Sequence, residues 1–266
     1  MNHLLRPLAP ISEAGWDRLD GEARERLTAA LAARKLVDFI GPRGWQHSAT
    51  NLGRTSPLAG SPRKAVAALR REVLPLVELR ADFALSRAEL RDADRGADDA
   101  DLGPLDSAAH EIAVSENVAV CHGWKGAIKG IAQASPHAAS TLGETAERYP
   151  RHVAGAVEQL LCSGVTGPYG LALGRDQYRR VIETAEHGGY PLLDHLAKIL
   201  QGPIVWAPGV EGAVVLSLRG GDFVFESGQD LSIGYDSHDE EVVRLYLQES
   251  FSFHVATPEA AVQLKP

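Results

Sequence analysis

The residues best suited to metal or nucleophile chemistry lack the partners that such chemistry requires. The stretch HEIAV, residues 110–114, begins like a zinc-protease helix, but Val114 stands where the second histidine ligand is needed. Cys121 and His122 are adjacent, and neighbours on a helix point about 100° apart, so they cannot form a catalytic dyad with each other. The aspartates of the acidic stretch 92–101 lack the spacing of a calcium loop with its glycine and distal glutamate. We therefore predict no catalytic residue, no metal site and no cofactor.

Composition and charge exclude several other classes of function. The formal charge of −8 over 266 residues argues against a nucleic-acid coat, which normally shows a basic excess. The densest basic cluster, RKAVAALRR at residues 63–71, has spacing that predicts an exposed helix face. Cys121 and Cys162 have no cysteine near them, which predicts buried free thiols rather than a disulfide framework. No apolar run reaches membrane-span length and no signal-peptide core is visible, so we predict a cytoplasmic protein without nucleic-acid or membrane partners.

One loop carries titratable side chains in an arrangement that symmetry would make functional. In EHGGYP, Gly188 and Gly189 predict a flexible turn between two helices, with Glu186, His187 and Tyr190 exposed beside it. In a single chain this is an ordinary helix-to-helix loop. Repeated around a rotation axis, the same residues would line a small opening with polar, titratable groups.

The predicted elements that position these residues are of two kinds, namely long helices with one long strand, and short helices that alternate with short strands. Ser12 precedes an apolar stripe at helical spacing that reaches Leu31, which predicts a capped amphipathic helix. A second long helix is predicted near 104–122. The run VVRLYLQESFSFHV, Val242–Val255, alternates with period two and predicts a strand of about 45 Å with one wet face. By contrast, helices and short apolar strands alternate over 131–218, which predicts an inserted α/β unit.

Seven stretches, in collinear order over nearly the whole chain, together resemble one protein family. They are LAPIS (8–12), ARKLVDFIGPRGW (33–45), PLVELRADFALSRAEL (75–90), GYPLLDHL (189–196), RGGDF (219–223), GQDLSIGY (228–235) and VRLYLQESFSFHV (243–255). They closely resemble the encapsulins, bacterial shell proteins also labelled linocin-type bacteriocins. The resemblance implies an α+β fold, the Hong Kong 97-like major capsid fold of tailed phages.

That fold implies a division of the chain into three parts. The peripheral domain, with the N-terminal helix, the spine helix and the long-stranded sheet, would comprise residues 1–46, 74–130 and 219–256. The extended loop would be 47–73, whose Ser, Thr, Gly and Pro content already suggests a loop reaching away from the body. Such a loop is costly unless something holds it, and a neighbouring subunit would do so. The axial domain would comprise 131–218 and 257–266.

The resemblance also implies a function and its sites. The chain would self-assemble into an icosahedral shell, of about sixty subunits by our expectation. The shell would enclose a cargo enzyme, such as a dye-decolorizing peroxidase or a ferritin-like iron or redox protein, held by the cargo's C-terminal peptide. By position, the peptide receptor would include Leu27, Leu31, Arg34, Asp38, Asp230 and Ile233. The residues of the fivefold pore would be Glu186, His187, Gly188, Gly189 and Tyr190.

Three alternatives stay open. Arg34 and Asp38 stand four residues apart and could simply pair on one helix face. The chain could be a prophage major capsid protein, although its helix signal begins within about a dozen residues and its acidic balance suits protein cargo better than DNA. A peptidase or bacteriocin activity is the third, and the lack of a nucleophile–base motif counts against it.

Overall fold

The computed structural model describes residues 3–63, 65–143, 145–185 and 188–266. The α-helices are α1 (Glu13–Ala30), α2 (Arg87–Asp94), α3 (Gly103–Cys121), α4 (Ile131–Ala134), α5 (Tyr149–Cys162), α6 (Arg175–Glu183) and α7 (Leu192–Leu200). The strands are β1 (Asp38–Ile40), β2 (Ala49–Pro57), β3 (Leu69–Pro75), β4 (Val77–Ser86), β5 (Ser140–Thr141), β6 (Tyr169–Leu173), β7 (Ile204–Trp206), β8 (Ala213–Ser217), β9 (Phe223–Ser227), β10 (Ser232–His238), β11 (Val242–Val255) and β12 (Ala261–Lys265). Among the described residues, no helix is long and apolar enough to cross a membrane.

Two five-stranded sheets and one two-stranded ribbon hold these strands. The first sheet has the order β1-β9-β11-β10, with β4 also paired to β11. The second has the order β5-β12-β8-β6-β7, so the last strand of the chain returns to a sheet built mainly from 140–217. Strands β2 and β3 pair only with each other in the described part of the chain, and they form the ribbon.

Strand β11 has the bounds that the alternation predicts. Its fourteen residues pair with β4 over most of their length, with β10 at one end and with β9 at the other. Val243, Leu245 and Leu247 pack into a core with α1 and α3, while Phe251 joins the core of the second sheet. A long strand therefore connects the two hydrophobic cores.

The predicted wet face of β11 is wrong. Gln248, Ser250 and Ser252 are 8%, 4% and 3% exposed, because a further layer of chain covers them. The base of the ribbon supplies part of that layer, where the hydroxyl oxygens of Thr50 and Ser252 lie 2.5 Å apart. The N-terminal segment supplies another part, since the Tyr246 hydroxyl on this face of β11 donates to the carbonyl of His3 at 3.5 Å.

The first helix begins where its capping residue predicts. The Ser12 hydroxyl accepts a hydrogen bond from the backbone N–H of Gly15 at 2.9 Å, which satisfies one of the free donors of the first turn. Leu19, Ala23 and Leu27, four residues apart, are buried against α3 and the first sheet. This packing fixes one face of α1 and leaves its other faces free to line cavities.

Two local predictions are wrong. Residues 69–71 belong to β3 rather than to a helix, because pairing with β2 satisfies their backbone, whereas nine residues are too few to nucleate a lone helix. Cys162, at the end of α5, is exposed rather than buried. Cys121 is buried as predicted, and burial raises the pKa of its thiol to about 12.

Candidate functional site

A cavity of about 400 Å³ opens between α1 and the first sheet. We call it the helix groove. Five of the six receptor residues that the resemblance implies line it together, namely Leu27, Leu31, Arg34, Asp230 and Ile233. Leu27 and Leu31 form the helix wall, and Ile233 of β10 faces them from the sheet. An apolar floor between charged rims is therefore assembled from parts of the chain that are distant in sequence.

Asp38 is the receptor residue that the structure places elsewhere. It begins β1, and its carboxylate accepts a hydrogen bond from the backbone N–H of Gly221 at 2.5 Å. It lines a separate small hollow beside β8 and β9. The expectation that Arg34 and Asp38 pair on one helix face is also wrong, because α1 ends at Ala30.

Arg34 instead lies at the centre of a buried charge cluster. Its guanidinium donates to the carboxylates of Glu116, Asp230 and Glu249, each at 2.7 Å. Side-chain exposure is 14% for Arg34, 0% for Glu116 and 1% for Glu249, so three ionisable groups are held away from water. This cluster sits at the inner end of the helix groove and joins α3, β11 and the segment before β10.

The surroundings of the two buried glutamates favour one proton between them. Burial raises the pKa of both Glu116 and Glu249, although the Arg34 charge opposes that rise. The two carboxyl groups lie side by side on the Arg34 guanidinium. Their Oε1 atoms have no donor among the described residues, and a proton on one of the two would supply one. With that proton, the pair would present one negative charge to the Arg34 guanidinium, which also contacts Asp230.

Asn117 positions the turn that carries Arg34. Its side-chain oxygen accepts from the backbone N–H groups of Ala32 and Ala33, both at 3.0 Å. Its amide nitrogen donates to the carbonyl of Ala30 at 2.9 Å and to that of Pro208 at 3.2 Å. A fully satisfied buried amide thus fixes how the chain leaves α1.

The sequence carried a signal for the two glutamates that our interpretation did not use. Glu116 interrupts the apolar stripe of its helix, and Glu249 interrupts the apolar alternation of β11. A charged residue at a core position is usually paired when buried. Arg6 and Asp20, which form a two-bond ion pair at 2.8 and 2.6 Å on the rim of the helix groove, had no such signal.

The EHGGYP loop is described only in part. Glu186 and His187 lie outside the described residues. Gly188 and Gly189 adopt φ values of 99° and 78°, a left-handed conformation that glycine tolerates best. The Tyr190 ring is 37% exposed and lies 4.9 Å from the ammonium nitrogen of Lys198. Lys198 therefore adds a cation beside this loop that the motif alone did not indicate.

The base of this loop is closed by the chain on either side of it. Ala185 and Pro191 form an isolated antiparallel bridge, and the backbone N–H of Leu192 donates to the carbonyl of Thr184 at 3.1 Å. These contacts bring the end of α6 close to the start of α7. The described glycines therefore lie in a short connection between two helices, as the sequence predicts.

Comparisons with known proteins converge on one kind of protein. A family model described as "encapsulating protein for peroxidase" matches residues 1–252. The type 1 encapsulin shell protein of Rhodospirillum rubrum is 49% identical over 271 residues, covering 100% of this chain and 97% of that protein. The type 1 encapsulin shell protein of Mycobacterium tuberculosis is 42% identical over 265 residues, covering 99% of each chain.

Solved structures match the fold at much lower sequence identity. A virus-like particle from Pyrococcus furiosus has a TM-score of 0.67 and 16% identity, covering 94% of this chain and 99% of that chain. The structure entitled "Mycobacterium phage Ogopogo" has a TM-score of 0.55 and 12% identity, covering 89% and 92%. The predicted α+β fold of the phage major capsid type is confirmed.

Proposed function

This chain belongs to the type 1 encapsulin shell-protein family, and from that premise we propose that many copies of it assemble into a closed icosahedral shell. Its relatives are shell proteins, and the chain is a structural protein rather than an enzyme. Family membership counts against both the prophage and the peptidase alternatives.

The observation that carries the assembly proposal is the β2–β3 ribbon. Within the residues that the structure describes, the ribbon has no third strand, and a two-stranded hairpin is marginally stable by itself. Its large apolar side chains Leu69 and Val73 are 62% and 47% exposed, and Val66, in the connection between the two strands, is 57% exposed. A neighbouring copy that covers these side chains would supply the missing contacts.

We propose that the helix groove receives the C-terminal peptide of a cargo protein inside the shell. The apolar walls suit leucine or isoleucine side chains, and the charged rim suits the polar groups of a peptide backbone or tail. The description of the family as an encapsulating protein for peroxidase favours a peroxidase over a ferritin-like iron protein as cargo.

The remaining parts of the proposal follow from closed symmetry. Gly188, Gly189 and Tyr190 would lie at the fivefold pore, with Glu186 and His187 beside them. The pore would pass ions and small molecules and retain folded cargo. We expect a shell of about sixty copies in the cytoplasm. Weak contacts that are repeated many times are enough to close such a shell without a dedicated scaffold.

Negative-stain electron microscopy of the protein, purified after expression alone, tests assembly directly. We expect uniform closed particles, and their diameter gives the number of subunits. A monomer or small oligomer would contradict the proposal. Co-expression with a fluorescent protein that carries the C-terminal tail of a dye-decolorizing peroxidase tests cargo loading, with a tail-less fluorescent protein as the control.

A further inference from the structure

A second cavity, of about 560 Å³, lies against the opposite side of α1 from the helix groove. Ala29 lines it, and Ala29 points about 200° away from both Leu27 and Leu31 on the helix. The two cavities have no lining residue in common. The other walls are α6 and β7, so we call this cavity the edge groove.

Strand β7 presents free backbone to the edge groove. It is the last strand of the second sheet in the described part of the chain and pairs with β6 alone. The carbonyl of Pro203 accepts from Leu171, and the N–H of Ala207 donates to Leu173, so odd-numbered residues face β6. Alternate residues of a strand direct their backbone groups to opposite sides. The N–H and C=O groups of Ile204 and Trp206 therefore point into the edge groove.

The side chains around the groove are basic and apolar. Lys35, Arg175 and Arg179 surround it with three cations against one carboxylate, that of Asp176. This local excess is opposite in sign to the charge of the whole chain, which is −8. Ile182, 55% exposed, adds an apolar patch on the same wall.

The open edge of β7 and the cations beside it determine what kind of ligand can bind there. Free N–H and C=O groups pair with another extended backbone, and the flanking cations favour carboxylate side chains. The acidic runs of this chain, 98–101 and 239–241, lie in turns and bends rather than in a free extended segment. Within the part of the chain that the structure describes, a second copy therefore offers no matching strand, and charge complementarity points to a different partner.

We propose that the edge groove binds an extended acidic peptide of a partner protein, which adds as a strand along β7. Carboxylates on one side of the peptide pair with Lys35, Arg175 and Arg179. Apolar side chains on the other side pack near Ile182. This site is separate from the helix groove and does not depend on what that groove binds.

The probe for this site is an octapeptide that alternates glutamate and valine and carries fluorescein and a benzophenone crosslinker. The full chain is refolded with the peptide present, so that the peptide reaches the groove on either surface of an assembly. Photocrosslinked positions are then mapped by mass spectrometry. We expect crosslinks within 175–182 and 204–206, in the refolded assembly as well as in single chains.

A matched peptide separates strand addition from simple charge attraction. Methylation of alternate backbone amides leaves the side chains and the charge unchanged but removes the hydrogen bonds to the strand edge. We expect at least about tenfold weaker binding of the methylated peptide by fluorescence anisotropy. Equal binding of the two peptides would overturn the proposal.

Charge-reversed variants test the cations. Arg175→Glu with Arg179→Glu should weaken binding of the unmodified peptide about tenfold. Arg148→Glu with Arg151→Glu changes the net charge equally on exposed residues outside the groove and should leave binding unchanged. Equal weakening by both pairs of substitutions would overturn the proposal. So would crosslinks outside the edge groove, and so would crosslinks that vanish in the assembled protein because a neighbouring copy covers β7.

Discussion

The helix groove and the β2–β3 ribbon differ in whether contacts within the same chain are enough to stabilise them. The groove rests on a cluster in which Arg34 meets three carboxylates of its own chain, and two of these are fully buried. The ribbon and the connection between its two strands instead leave Leu69 and Val66 in solvent, each more than half exposed. The helix groove, which we propose to be a binding surface, is therefore completed within one chain. The ribbon, which we propose to be an assembly surface, is left for a neighbouring copy to complete.

The largest effect should come from breaking the cluster beneath the helix groove. Arg34→Met leaves Glu116 and Glu249 buried without their cation, which we expect to cost about 3–5 kcal/mol of folding free energy. Urea unfolding followed by tryptophan fluorescence measures this loss. Arg24→Met, on the exposed rim of the same groove, is the control and should change stability by less than about 0.5 kcal/mol.

The raised pKa of Glu249 predicts a pH dependence of stability. Burial is the largest cause that raises the pKa of Glu249 well above its ordinary 4.5, and the Glu116 charge is the second. Because the folded chain holds a proton that the unfolded chain releases, this contribution is fully present below the unfolded pKa. It is lost as the pH rises through the folded pKa, at up to about 1.4 kcal/mol per pH unit.

Glu249→Gln tests this dependence, because its amide keeps a donor beside Glu116 and cannot release a proton. Urea unfolding at a series of pH values should show that the variant loses the slope above pH 4.5 that the original chain has. Glu78→Gln, an exposed carboxyl on β4, should keep that slope. A slope unchanged in Glu249→Gln would show that the pair does not share a proton.

The ribbon should respond in the opposite way to the cluster. Leu69→Asp places a charge on a side chain that is 62% exposed, so the folding free energy of a single chain should change by about 0.5 kcal/mol at most. Assembly should nevertheless fail, because every copy carries the charge into its contact with a neighbour. Electron microscopy reads assembly and circular dichroism reads folding, and Leu69→Met, which keeps the apolar surface, is the control.

The smallest effect should distinguish the two aspartates that the sequence grouped together. Asp230→Asn removes a charge from the rim of the helix groove and should weaken binding of a cargo-tail peptide about threefold. Asp38→Asn, in the separate hollow, should leave that affinity unchanged. Isothermal titration calorimetry with the two variants makes this comparison. An equal loss of peptide affinity in both variants would show that Asp38 also contributes to peptide binding.

Features specified by neighbouring residues were predictable, and features specified by distant ones were not. The Ser12 cap and the period-two run of β11 were correct because both depend on local spacing. The burial of Gln248 was missed because its covering layer comes from the other end of the chain. Likewise, the three carboxylates of Arg34 stand 82, 196 and 215 residues away in sequence, beyond the reach of any periodic pattern.

The pairing of β11 with three strands also has a mechanical consequence. Its ladders to β4, β9 and β10 run side by side along one axis, so a shearing load applied to the strand must break many hydrogen bonds together. The ribbon, with a single ladder between its two strands, resists such a load with far fewer bonds. If the ribbons join the subunits of a closed shell as we propose, such a shell would yield under internal pressure at the ribbons, while β11 inside each subunit stays intact.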